Sequence, residues 1–164
     1  MIGGIVKRVK YFGIKVKFYH PGLLLDDELQ LLVTEYSEGD YERGYVPSYQ
    51  FMMVNYNTNA MMGKISLRVV SSWDVVQYVG HIGYHVYPDF RGHHYAARSC
   101  KLLLDLARKH EINPLWITCN PDNYPSRRAC ELAGAELVEI VDVPKTHDLY
   151  TLGDHQKCRY KIEL

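Results

Sequence analysis

The chain has 164 residues, the size of one domain, and that length buries enough surface to fold without disulfide or metal staples. Nineteen Lys and Arg balance nineteen Asp and Glu, which excludes the broad basic field of a duplex nucleic-acid binder and leaves room only for a local cationic patch. The 14 Tyr and 8 His, against 4 Phe and 2 Trp, suit half-buried strands with a wet edge and point to a sheet-rich architecture.

Residues 1–20 alternate basic and apolar side chains, and Ile14-Lys15-Val16-Lys17-Phe18 reads as an edge strand guarded by lysines. Lys7, Arg8, Lys10, Lys15 and Lys17 interrupt every apolar run, so neither a signal-peptide core nor a membrane span is expected. Pro21-Gly22 ends this stretch. The next segment is ambiguous: Leu29, Leu31 and Val33 alternate as in a strand over Glu28–Tyr36, while a short helix around Leu23–Leu32 fits as well. Ser37 to Gly44 is polar and acidic, a loop. Tyr49–Asn55, Met61–Val70 and Val75–Tyr87 then follow as closely linked strands of an antiparallel meander.

After Pro88 the period changes. Ala96, Cys100, Leu103, Leu104 and Ala107 recur at helical spacing, and Asn113-Pro114 stops that helix. Leu115–Cys119 is a short apolar strand. Asn123-Tyr124-Pro125-Ser126 carries helix-start chemistry, with Ala129, Leu132 and Ala133 on an apolar face and Gly134 as the cap. Glu136–Val143 and Lys157–Leu164 are the last strands, flanking a polar loop over 145–156. A strand-helix-strand unit from Val79 to Cys119 calls for a right-handed crossover, which makes its two strands parallel neighbours. The four cysteines (Cys100, Cys119, Cys130, Cys158) form no CxxC pair and no zinc-ribbon spacing. Scattered in this way they suit a reducing compartment, so a cytoplasmic protein is expected.

The junction Tyr87-Pro88-Asp89-Phe90-Arg91-Gly92-His93-His94-Tyr95-Ala96 joins a strand to a helix. A helix start presents free N–H groups and the positive dipole end, a seat for a pyrophosphate. Gly92 allows backbone to approach an anion, Arg91 adds charge, and no Ser, Thr, Asp or Asn occupies the expected N-cap. By itself the segment is equally an ordinary turn.

In context it resembles the acetyl-CoA-binding segment V-x-P-x-x-[RQ]-x-x-G-x-[GA] of the GNAT acetyltransferase superfamily. The sequence reads VYPDFRGHHYA, with Val86, Pro88, Arg91 and Ala96 in matching positions. Asn123, Ser126, Glu131 and Gly134 match its N-x-x-S-x-x-x-x-E-x-x-G helix, and the resemblance runs from Gly63 to Leu164. GHIGYHVYPDFRGHHYA and ITCNPDN also look like a subgroup of predicted acetyltransferases. One departure is His94, where the pattern has glycine.

The resemblance implies an α/β (α+β) fold over residues 1–164: a mixed, mostly antiparallel twisted sheet with a central parallel strand pair and flanking helices. It implies acetyl-CoA as cosubstrate, held by Val86, Tyr87, Arg91, Gly92, His93, His94, Tyr95, Ala96, Asn120, Asn123 and Ser126. The acetyl group would pass to a primary amine (of a small molecule, a peptide N-terminus or a lysine) by direct attack in a ternary complex. The family's base, often a glutamate before the turn, is replaced here by His81 or His85, which share a face if the strand is regular. The family's acid, a tyrosine seven residues after the helix asparagine, is replaced by Cys130, with Tyr124 as a nearby substitute. A metal is not expected: the paired His93 and His94 point apart, and no Asp, Glu or Cys supports them at ligand spacing. A non-catalytic acyl-CoA-binding domain of the same fold and a tyrosine-rich interaction module are the competing readings. Exposed strands at either end leave a homodimer open.

Overall fold

The computed structural model describes residues 1–164 and sets an eight-stranded sheet beside a two-stranded hairpin. The hairpin joins β1 (Ile5–Tyr11) to β2 (Ile14–Tyr19) through Phe12-Gly13, both in the left-handed region. The N-terminal alternation therefore makes two strands, with Val9, Tyr11, Val16 and Phe18 buried and Lys10, Lys15 and Lys17 in water.

The large sheet contains β3 (Leu24–Asp26), β4 (Leu29–Ser37), β5 (Ser48–Asn55), β6 (Met61–Arg68), β7 (Ile82–Val86), β8 (Leu115–Cys119), β9 (Glu136–Asp142) and β10 (Gln156–Ile162). Their order is β3-β4-β5-β6-β7-β8-β10-β9, and every pair is antiparallel except β7–β8. The ambiguous segment is two strands, not a helix. Leu29 and Leu31 are buried through pairing with β5, an interaction no local pattern reveals.

The helices are α1 (Tyr95–Leu102), α2 (Leu104–Lys109), α3 (Tyr124–Leu132) and α4 (Asp148–Thr151). The expected long helix after Pro88 breaks once, at Leu103, and buries Leu103 and Leu106 against the core. Arg98 clamps α1 to the β3–β4 hairpin: its guanidinium donates to Asp26 Oδ2 at 2.6 Å and to Glu28 Oε1 at 2.8 Å. The polar loop at 145–156 contains the short α4, capped by His147, whose Nδ1 accepts the Leu149 N–H.

The expected strand Val75–Tyr87 is corrected. Only Ile82–Val86 is extended, and Val75–Val79 forms a π-helical turn. Its β-branched residues suggest a strand, but the Val75 N–H is taken by Ser72 Oγ and Gly80 turns the chain at φ +73°. A Cβ on Gly80 would lie 3.0 Å from the Trp116 carbonyl oxygen, so this position combines an unusual φ with a close crossing of β8.

Next to that crossing, His81 pins the parallel strands. Its N–H donates to the Trp116 carbonyl, its carbonyl accepts the Arg68 N–H, and its Nδ1 accepts the Trp116 N–H at 2.9 Å. The two strands then pair at Ile82 and Ile117 only. Beyond that point they separate.

Candidate active site

The segment after β7 forms a 3₁₀ turn, Pro88–Phe90, and then reaches α1 through Arg91-Gly92-His93-His94. The first N–H of this helix with an acceptor in the chain is that of Arg98, bonded to the His94 carbonyl. The amides of Gly92, His93, His94, Tyr95, Ala96 and Ala97 therefore have no acceptor, and the N-cap residue supplies no side-chain bond. Such a run of donors at a helix N-terminus is an anion seat. Arg91 stands beside it, its Nε donating to the Val86 carbonyl at 3.2 Å. His94 takes φ +59°, which explains why the related motif has glycine at this position.

These amides open into a cleft of about 590 Å³ between β7, α1 and α3. A second space of about 280 Å³ lies where β7 and β8 separate, and it shares Tyr84, Asn123 and Ser126 with the first. A groove of about 690 Å³ adjoins that gap in turn, sharing Arg68, Val79 and Leu149. The three adjoin in series through these shared residues, from the anion seat by way of the gap between the parallel strands to the groove. At that groove Asp74 Oδ1 accepts the Nε2–H of His147, and Glu42 and Asp148 also line the wall.

The residues singled out in the sequence are only partly brought together. Arg91, Gly92, His94, Tyr95, Ala96, Asn123 and Ser126 line the first cleft with Val86, whereas Tyr87 and His93 do not. Asn123 caps α3, its Oδ1 accepting the Ser126 N–H. Asn120 lines the gap and donates to Asp154 at 2.6 Å, while its own Oδ1 is buried without a partner.

The proton carriers need correction. His81 is fully buried, with Nδ1 taken by Trp116 and Nε2 2.9 Å from Ser71 Oγ. Burial, aided by the Arg68 charge, lowers its pKa to about 4. It is a structural pin with no free nitrogen. His85 is exposed, with its ring near Tyr87, and it lines the first cleft but not the gap. The two histidines therefore do not share a face, because the strand begins only after His81. Tyr124 projects into solvent at 71% exposure and lines none of these spaces. Cys130 is fully buried, and its thiol is pushed up by the hydrogen bond to Cys119 and by burial.

Sequence reasoning missed Tyr84 as a side chain. Its hydroxyl lies 2.7 Å from Ser126 Oγ and 3.7 Å from Cys130 Sγ, where the cleft meets the gap. Burial holds its phenol far above the ordinary tyrosine range, so it stays protonated. The available signal was the phase of β7, which sends Tyr84 to the face opposite His85. No group of three His, Cys, Asp or Glu side chains is arranged to hold a metal ion, and no helix is long and apolar enough to cross a membrane.

No sequence among curated proteins matches this chain. Solved structures match its fold. The ribosomal L7/L12 alpha-N-protein acetyltransferase RimL, with coenzyme A in disulfide linkage to one of its cysteines, superposes with a TM-score of 0.61 at 16% identity, covering 87% of this chain and 98% of that one. A GNAT-family acetyltransferase from Bacillus anthracis gives 0.61 at 16% identity, covering 86% and 98%. The microcin C7 self-immunity acetyltransferase MccE, in complex with acetyl-CoA and AMP, gives 0.55 at 16%, covering 71% and 61%. The acetyltransferase (GNAT) domain model matches residues 15–136, well over half the sequence and inclusive of the anion seat and both central strands. By that match the chain belongs to the GNAT family of acetyltransferases.

Proposed function

We propose that this enzyme transfers the acetyl group of acetyl-CoA to a primary amine (of a small molecule, a peptide N-terminus or a lysine) by direct attack in a ternary complex, in the cytoplasm. The observation that carries the reading is the row of unpartnered amides from Gly92 to Ala97, in a cleft that adjoins the β7–β8 gap and, next to it, a second groove.

Each residue then has a defined task. The Gly92–Ala97 amides and Arg91 hold the pyrophosphate. The edges of β7 and β8 accept the pantetheine arm as an added strand. An N–H near His85 or Val86 stabilises the thioester oxygen as charge develops, a contribution on the order of 3 kcal/mol for one such donor. Ser126 lies where the departing thiolate forms and supplies its proton, positioned by the Tyr84 hydroxyl. On the amine side we assign Asp74 to receive the incoming ammonium, with Oδ1 held by His147.

Calorimetric titration with acetyl-CoA tests the reading. The wild type should bind at micromolar or tighter affinity, and Arg91→Ala should bind at least about tenfold more weakly, as loss of one charge-assisted contact implies. No binding by the wild type overturns the proposal. Binding without CoA release across an amine panel would instead support a non-catalytic acyl-CoA-binding role.

A further inference from the structure

Arg68 is the one charged side chain that lines both the gap and the adjoining groove. It ends β6, and its guanidinium lies against Gly83 of β7, where a Cβ would stand 3.4 Å from Nη1 and 3.6 Å from Nη2. Gly83 is the first residue of β7 past the single β7–β8 pairing at Ile82, so the charge sits where the parallel strands part. Nη1 donates to the Gly80 carbonyl at 3.1 Å and to that of Val79 at 3.5 Å, while Nε and Nη2 donate to no atom of the chain. Arg98, Arg108, Arg128 and Arg159 each meet a carboxylate, whereas no carboxylate oxygen comes within 4.0 Å of Arg68.

Asp74 lines the same groove with the opposite charge. Its Oδ1 is taken by His147 and its Oδ2 is free. Burial pulls the Arg68 guanidinium below the ordinary arginine range and the Asp74 charge opposes that fall, so the two groups act on each other without pairing. A half-buried cation held off its counter-charge carries a desolvation cost that a ligand bearing both charges offsets. The free Nε–Nη2 edge is a pair of parallel donors, the shape that a carboxylate takes in two bonds. Glu42 and Asp148 on the same wall favour cations in general, and Arg68 is what turns the groove against a diamine. A free amino acid carries an ammonium and a carboxylate one carbon apart. A lysine side chain or a peptide N-terminus brings the ammonium alone.

We propose that the acceptor is a free amino acid, its carboxylate held by Arg68 and its ammonium received at Asp74. This rests on the acetyl-CoA reading, which sets the thioester in the gap that Arg68 also lines. The ammonium gives up one proton to solvent, the nitrogen bonds to the thioester carbon, and the C–S bond breaks. The second proton leaving nitrogen balances the one that Ser126 supplies to the thiolate. One amino acid and one thioester thus yield one N-acetyl amino acid, one coenzyme A thiol and one proton. The product keeps its carboxylate but has lost its positive charge, so Asp74 no longer holds it.

Release of coenzyme A is followed with a chromogenic thiol reagent under saturating acetyl-CoA. The acceptors are the twenty standard L-amino acids, their carboxamides, 1,4-diaminobutane and an unblocked pentapeptide amide. At least one free amino acid should be acetylated, with the product confirmed by mass. Its kcat/KM should exceed that of its own carboxamide, the diamine and the peptide by at least about tenfold, as loss of one charge-assisted pair implies. Arg68→Gln should compress that acid-to-amide ratio to about one. A wild type that uses the carboxamide, the diamine or the peptide as well as the free acid overturns the inference. Equal losses for acid and amide in the variant do so too, since they reduce Arg68 to a staple of the Val79–Gly80 turn. Absence of turnover with all twenty amino acids, when calorimetry shows acetyl-CoA bound, overturns it and leaves the acetyl-CoA reading standing. Absence of acetyl-CoA binding removes both. The acid-to-amide comparison on the wild type decides the matter even if the glutamine variant folds poorly.

Discussion

Acid should weaken this protein through His81 before it touches the chemistry. The imidazole accepts the Trp116 N–H and is fully buried, so the folded chain resists its protonation until about pH 4. An unfolded histidine takes its proton near 6.5. Between those values the unfolded state binds more protons, so stability falls as pH falls and is fully present only above about 6.5. At ~1.36 kcal/mol per pH unit the full window is worth about 3 kcal/mol, of which about 2 is lost by pH 5. His81→Asn isolates this effect, because an amide oxygen can replace Nδ1 as acceptor for Trp116 while nothing titrates. Urea unfolding followed by tryptophan fluorescence at pH 7.5, 6 and 5 should show the wild type losing about 2 kcal/mol more than the variant. His110, half-buried and lowered to about 4 by desolvation, contributes equally to both proteins and cancels. Parallel losses in the two proteins would mean that His81 protonates freely in the fold, and the assignment of a buried pin would fail.

His94→Gly should raise stability by about 1 kcal/mol, read as a higher Tm, because it relieves a left-handed imidazole residue at φ +59°. Ser126→Ala should lower kcat by about 10²-fold with little change in the KM for acetyl-CoA, measured with whichever amine supports turnover. Tyr84→Phe should produce a smaller loss of the same kind, since it orients the serine hydroxyl. Arg98→Ala should cost about 1–3 kcal/mol in urea unfolding, as it leaves Asp26 and Glu28 without their partner. The Arg98 guanidinium holds Glu28 down to about 2, so the wild type carries a stability increment above pH 4.5 that fades toward pH 2, and the variant should lack that acid limb.

The anion seat was legible in the sequence because its chemistry is local: a Pro-set turn, a glycine, an arginine and a helix start lie within ten residues. The central parallel pair was legible for a similar reason, since a strand-helix-strand unit has one dominant handedness. Val75–Val79 was not. Its β-branched composition imitates a strand, and what overrides it is a serine oxygen and the approach of β8 at Gly80. The Tyr84–Ser126 contact was invisible for a different reason, joining residues 42 apart across two elements.

His81 shows what a strand histidine means once its neighbours are known. A base must offer a nitrogen to the substrate, and both of its nitrogens are occupied by protein. Yet the residue bears directly on function, because the parallel strands pair at one position only and His81 adds two bonds to Trp116 just before it. Its neighbour Gly80 lets the backbones meet closely, and the strands then diverge into the gap where the proposed transfer sets the thioester. A pin that titrated at neutral pH would let the gap change width with the proton concentration. Burial lowers the pKa of this imidazole to about 4, so the pin stays neutral over the range in which an amine can react.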